Sequence, residues 1–113
     1  MPSDRRAFLT GGTFFFTVVT ERRAPILDLA PARTALRDAI RACRDRWPFR
    51  IEAMVLLPDH LHAIWSLPSG DTAYPRRWGW IKKEFTRAWL AAGGDEQLTT
   101  ISRPKRSPVG VGG

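Results

Sequence analysis

The sequence predicts an α+β domain: an antiparallel sheet with two helices packed on one face. Three observations carry this. The apolar pattern switches twice between a two-residue and a 3.6-residue period. Two of the strand segments are separated only by Pro58-Asp59, too short a break for anything but an antiparallel hairpin. Pro and Gly punctuate the ends of every periodic segment.

Thr13 to Thr20 (TFFFTVVT) is rich in aromatic and β-branched residues and predicts the first strand. Glu21 to Pro25 is a charged turn. A helix is expected over 31–46. Pro31 suits a first turn, and Ala32, Leu36, Ala39, Ile40 and Cys43 recur at three- and four-residue steps. Trp47-Pro48 closes it, because a residue before proline avoids helical dihedrals. Strands follow at 49–57 and 60–67. In the first of these, Phe49, Ile51, Ala53, Val55 and Leu57 alternate onto one face. A second helix is expected over 73–92, with Trp78, Ile81, Phe85 and Trp89 on one stripe, Asp71 or Thr72 as its cap, and Gly93-Gly94 as its stop.

The order strand, helix, strand, strand, helix is a ferredoxin-like split βαβ plan lacking its fourth strand. Residues 1–12 read as a basic arm, 13–94 as the domain, and 95–113 as a disordered tail, since SRPKRSPVGVGG has no periodicity.

With 113 residues, 43% of them hydrophobic and five of them Trp, one small core is possible and a second domain is not. Eighteen Lys and Arg against eleven acids give a net charge of +7, which favours a polyanionic partner, nucleic acid ahead of a membrane surface. A lone Cys43 excludes an internal disulfide and a cysteine-based metal site. No apolar run has the form of a signal peptide or the length of a membrane span, and the expected location is the cytoplasm.

The only two histidines are His60 and His62. Residues two apart on a strand project to the same face, and two imidazoles there can share one metal ion. Leu61, Ala63 and Trp65 would alternate beneath the helices, leaving the histidines on the open side beside Ile64 and Ser66. Two ordinary strand histidines fit the same spacing. Arg76, Arg77, Lys82, Lys83 and Arg87 surround the apolar stripe of the second helix. They could track phosphates or simply form a solvated face.

LLPDHLHAIWSLP (56–68) closely resembles the histidine-motif strand of the single-tyrosine transposases, in the REP-associated branch. RRAFLTGGTFFFTVVTERRAPIL (5–27) resembles the start of that family, and GDTAYPRRWGWIKKEFTRAW (70–89) its second helix. The matches run from about Arg5 to Trp89 in family order.

The resemblance implies a metal-dependent nuclease acting on single-stranded DNA, with hairpin-forming repeats as targets. His60 and His62 would hold a weakly bound Mg²⁺ or Mn²⁺. Arg5, Arg6, Gly11, Gly12 and Thr13 fall where the DNA hairpin and its flanking bases would be held, and Arg76, Arg77, Lys82 and Lys83 match the family's basic helix. The nucleophile of the family is a tyrosine on a later helix. The only tyrosine here, Tyr74, opens the second helix and does not match it. The expectation is therefore a truncated, inactive transposase-like protein with no catalytic residue of its own, binding single-stranded or hairpin DNA as monomer or dimer. A non-catalytic nucleic-acid-binding module and a non-functional pseudogene product stay open beside it. A histidine-based nucleotide hydrolase would want H-x-H-x-H, and Ile64 stands at the third place.

Overall fold

The computed structural model describes residues 12–94 and the backbone of Lys105–Pro108. The elements run β1 (Thr13–Val19), two short 3-10 turns (Glu21–Arg23 and Ile26–Asp28), α1 (Ala30–Arg46), β2 (Arg50–Leu57), β3 (His60–Ser66), α2 (Tyr74–Ala91) and β4 (Lys105–Pro108). The strands form one antiparallel sheet in the order β2-β3-β1-β4.

Alternation makes β1. Phe14, Phe16 and Val18 are buried, while Phe15, Thr17 and Val19 face the other side. Pro31 sits in the first turn of α1, where its missing N–H costs nothing, and Ala32, Ala35, Leu36, Ala39, Ile40 and Cys43 are its buried stripe. Burial pushes the Cys43 thiol up to about 11, so it is an inert core filler. In α2 the buried stripe is Arg77, Trp78, Ile81, Phe85 and Trp89.

The core is an aromatic stack between sheet and helices. The Trp65 and Trp78 rings are parallel within 14° at 4.4 Å, and Phe16 meets Trp65 edge-on at 4.8 Å. Phe49 closes the other side of Trp65, with ring centroids 4.2 Å apart. Both helices thus cover one sheet face, as expected, and the other face is left to β1, β2 and β3.

Two expectations are corrected. The alternation read for 49–57 does not hold along the whole strand. The register slips between Ile51 and Ala53, so Glu52 is an extra residue. A bulge of one residue inverts the parity of all that follows. Phe49 and Ile51 therefore pack on the core, but Leu56 takes over that role further along. Val55 becomes 54% exposed.

The second correction concerns the tail. A fourth strand was not expected, yet Lys105–Pro108 pairs antiparallel with Phe14–Thr17 of β1. It completes the split βαβ order. A sequence as polar as KRSP can do this because an edge strand pairs through its backbone, and charge and proline are tolerated there. The rest of the stretch read as a tail, and residues 1–11 of the arm, lie outside the described residues.

Candidate functional site

His60 and His62 begin β3. Their neighbours in the chain, Leu61 and Ala63, are buried at 1% exposure each, so the strand's own alternation forces both imidazoles onto the open face. Their ring centroids are 5.0 Å apart and the planes nearly perpendicular. In the register, His60 lies opposite Val19 and Leu57, and His62 opposite Thr17 and Val55. Ile64 continues the same face half-buried, whereas Ser66 is covered and its hydroxyl lies 3.0 Å from that of Thr13.

Each imidazole is held by its Nδ1. That of His60 is 2.8 Å from Asp59 Oδ1, and that of His62 is 3.1 Å from the Thr17 hydroxyl. Phe15 stacks on His62 at 5.6 Å, within 18° of parallel. Asp59 is itself gripped from the other side by Arg23, whose Nε donates to Oδ2 at 2.9 Å. The hydrogen bond from His60, and then that from Arg23, hold the Asp59 carboxyl below the usual carboxylate value.

These contacts leave Nε2 of both rings without a protein partner among the described residues. Two imidazole nitrogens side by side on a rigid strand suit a divalent ion, and partners on the second nitrogen are the common support of metal-binding histidines. Among the described residues no group of three or more His, Cys, Asp or Glu comes together, so a bound ion would take its other ligands from water or substrate.

The other expected site residues are scattered. Arg5, Arg6 and Gly11 lie outside the described residues. Gly12 is buried at the entry to β1, and its carbonyl accepts the Leu67 N–H at 2.7 Å. Arg76, Lys82 and Lys83 belong to α2, in the layer on the far side of the sheet from the histidines. Arg76 and Lys83 are exposed and Lys82 is half-buried. Arg76 and Arg46 both stack on the Trp47 ring, at 5.3 and 4.9 Å.

The placement of Arg77 on the basic face of the helix is corrected: its side chain is turned into the fold. It is 2% exposed, and its guanidinium donates to both Asp71 oxygens and to the carbonyls of Trp47, Pro48 and Ala73. No donor is left for a phosphate. Asp71 does not bond the first amides of α2 as a cap would. It accepts the Ala73 N–H, one residue before the helix, together with Arg77.

Tyr74 packs on Phe14 and Phe16, with ring centroids 5.2 and 5.4 Å away. Those phenylalanines point to the helix layer, so the sheet separates Tyr74 from the histidine pair. Thr17, Phe15 and Arg23 were missed by sequence reasoning. Only the register between β1 and β3 brings the first two to His62, and no local pattern announces it.

The sequence matches no protein-family model. It is 48% identical over 89 residues to the REP-associated tyrosine transposase of Escherichia coli K12, which is 78% of this chain and 53% of that protein. A candidate REP-associated tyrosine transposase of Haemophilus influenzae is 36% identical over 87 residues, 77% of this chain and 49% of the relative. The chain thus spans about half the length of the curated relatives it matches. Among solved structures, that of a REP-associated tyrosine transposase bound to a REP hairpin superposes with a TM-score of 0.72 at 39% identity, covering 88% of this chain and 56% of the other. A candidate transposase of Deinococcus radiodurans, 15% identical, has the same fold with a TM-score of 0.63, covering 84% of this chain and 75% of its own. No described helix is long and apolar enough to cross a membrane.

Proposed function

We propose that this chain, a relative of the REP-associated tyrosine transposases, binds single-stranded or hairpin DNA and holds a divalent ion, Mg²⁺ or Mn²⁺, weakly between His60 and His62. The observation that carries the reading is the histidine pair itself: two imidazoles on one open face, each held through Nδ1 and each with Nε2 unclaimed by the described residues. When bound, such an ion supplies Lewis-acid polarisation of a phosphate oxygen.

The chain's own residues do the rest. Asp59 and Thr17 orient the two rings. Phe15 backs His62 and limits its rotation. Arg5 and Arg6, with the exposed Arg76 and Lys83, supply charge for the DNA backbone. The nucleic-acid partner is inferred from the hairpin bound in the related structure and from the +7 charge of this chain. These 113 residues act as a binding module and do not cleave DNA, because their single tyrosine is packed on the other side of the sheet.

The test is affinity for a REP-type hairpin against a random duplex of equal length, over a salt series and with and without Mn²⁺. The hairpin should bind more tightly, and Arg5→Ala with Arg6→Ala should lower the logarithmic salt slope by about two. His60→Ala and His62→Ala should each abolish Mn²⁺ binding while leaving metal-free hairpin affinity nearly unchanged. Equal affinity for hairpin and duplex across the series, or Mn²⁺ binding that survives loss of both histidines, would sink the proposal.

A further inference from the structure

The backbone between β1 and α1 is strained at two consecutive positions. Arg22 and Arg23 both have φ of +55°, the left-handed region in which Cβ of an L residue crowds the following carbonyl oxygen. Neither is Gly, Asn or Asp, the residues that enter this region most readily. Such outliers persist where the surroundings over-determine them, and they cluster at functional sites.

Beyond its own local hydrogen bonds, this segment is tied to the turn that presents the histidines. The Thr20 N–H donates to the Asp59 carbonyl at 3.0 Å, and the Leu27 N–H to that of Pro58 at 2.9 Å. The buried Thr20 hydroxyl shares its one proton between the carbonyls of Ala24 (2.7 Å) and Asp59 (3.0 Å). The strained turn is tied to the β2–β3 turn at its two ends, and between them the Arg23 guanidinium reaches Asp59.

The Arg23–Asp59 pair does little for stability. The arginine side chain is 62% exposed, so water and salt screen the pair. What it does is hold one carboxylate oxygen so that the other stays on His60. An ionised carboxylate only accepts, so the His60 nitrogen facing it must carry the proton. His62 has no such constraint, because the Thr17 hydroxyl can donate or accept.

We infer that Asp59, held in place by Arg23 on the strained turn, is a positioning residue that fixes His60 in the tautomer with hydrogen on Nδ1, and so presents the Nε2 lone pair on the open face. This deepens the metal-holding reading above and rests on it for its purpose, though not for its test.

With only two histidines, ¹⁵N-histidine labelling of the full chain gives two assignable rings. Long-range ¹H–¹⁵N spectra, recorded metal-free at a pH where the rings are neutral, report each tautomer. His60 should carry hydrogen on Nδ1 in the wild type and shift toward the Nε2–H form in Asp59→Ala, with His62 unchanged. The Mn²⁺ dissociation constant should rise 10- to 100-fold in Asp59→Ala, and by less in Arg23→Gln. Should Asp59→Ala not fold, Asp59→Asn keeps the shape and removes the obligate acceptor, and the same spectral change is expected. An Nε2–H His60 in the wild type, or a His60 spectrum indifferent to Asp59, overturns the inference. If the wild type takes up no Mn²⁺, the metal reading falls and the spectra still decide the positioning.

Discussion

Arg77 lies buried against Asp71, with its two terminal nitrogens 3.3 and 3.0 Å from the two carboxylate oxygens and its Nε 3.1 Å from the Trp47 carbonyl. It ties the start of α2 to the end of α1 through the carbonyls of Trp47 and Pro48. Removing one partner of a buried ion pair costs about 3–5 kcal/mol, and the partial exposure of Asp71 puts this site at the lower end. Arg77→Ala should therefore lower stability by about 3 kcal/mol in urea unfolding. Under conditions where the variant is folded, the salt slope of hairpin binding should be unchanged, whereas Lys83→Ala should reduce it.

The same pair gives an acid limb to stability. Hydrogen bonds from Arg77 and then from the Ala73 N–H hold the Asp71 carboxyl below its ordinary value. A carboxyl depressed by folding contributes stability that is fully present above its unfolded pKa. The contribution is lost as pH falls through the folded one. Asp71→Asn should therefore be less stable than the wild type at neutral pH and should lose less on acidification below about pH 4. Parallel curves for the two proteins would mean that Asp71 does not carry the acid limb.

Much of this architecture is legible in the sequence, and the failures share a cause. The boundaries of β1, β3 and both helices follow from local periodicity and from Pro31, Trp47-Pro48 and Gly93-Gly94. The histidine pair follows from alternation alone. The parity of β2 does not, because Phe49 to Leu57 is mostly apolar on both faces and nothing local marks Glu52 as the extra residue. Arg77 looks no different from Arg76 until Trp47 and Pro48 are placed over it. Thr17, Phe15 and Arg23 join the site only through pairings about 36 to 47 residues apart in the chain. A strand such as KRSP has no propensity to betray it.

The bulge at Glu52 makes a direct prediction about β2. Val55 is exposed on the open face and Leu56 packs against the core, the reverse of a strand with unbroken alternation. Val55→Lys should change stability by no more than about 0.5 kcal/mol, and Leu56→Lys should cost at least about 2 kcal/mol. If the costs come out the other way round, the register of β2 is wrong.

Gly94 ends the helical layer in close approach to Trp89. Its N–H donates to the Trp89 carbonyl at 2.8 Å, and a Cβ built there would run into the indole ring. Trp89 is buried and cannot swing clear without opening the core. Gly94→Ala should destabilise by about 1–3 kcal/mol, the range for overpacking. At Gly93 the backbone has φ of +95° but open space beyond it, so Gly93→Asn should be milder.

The last prediction concerns covalent chemistry. Attack on a phosphate needs a nucleophile within about 3–3.5 Å of it, and a phosphate drawn to the His60–His62 pair sits on the open face. Tyr74 is on the other face, its ring against Phe14 and Phe16. Bringing it round would require unpacking the start of α2, and with it the Arg77–Asp71 tie six residues apart. Incubated with hairpin DNA and Mn²⁺ and run on a denaturing gel, this chain should therefore form no covalent protein–DNA adduct, and Tyr74→Phe should bind the hairpin as the wild type does. An adduct in the wild type that disappears in Tyr74→Phe would show that α2 does unpack on the DNA and that the tyrosine reaches the histidine face after all.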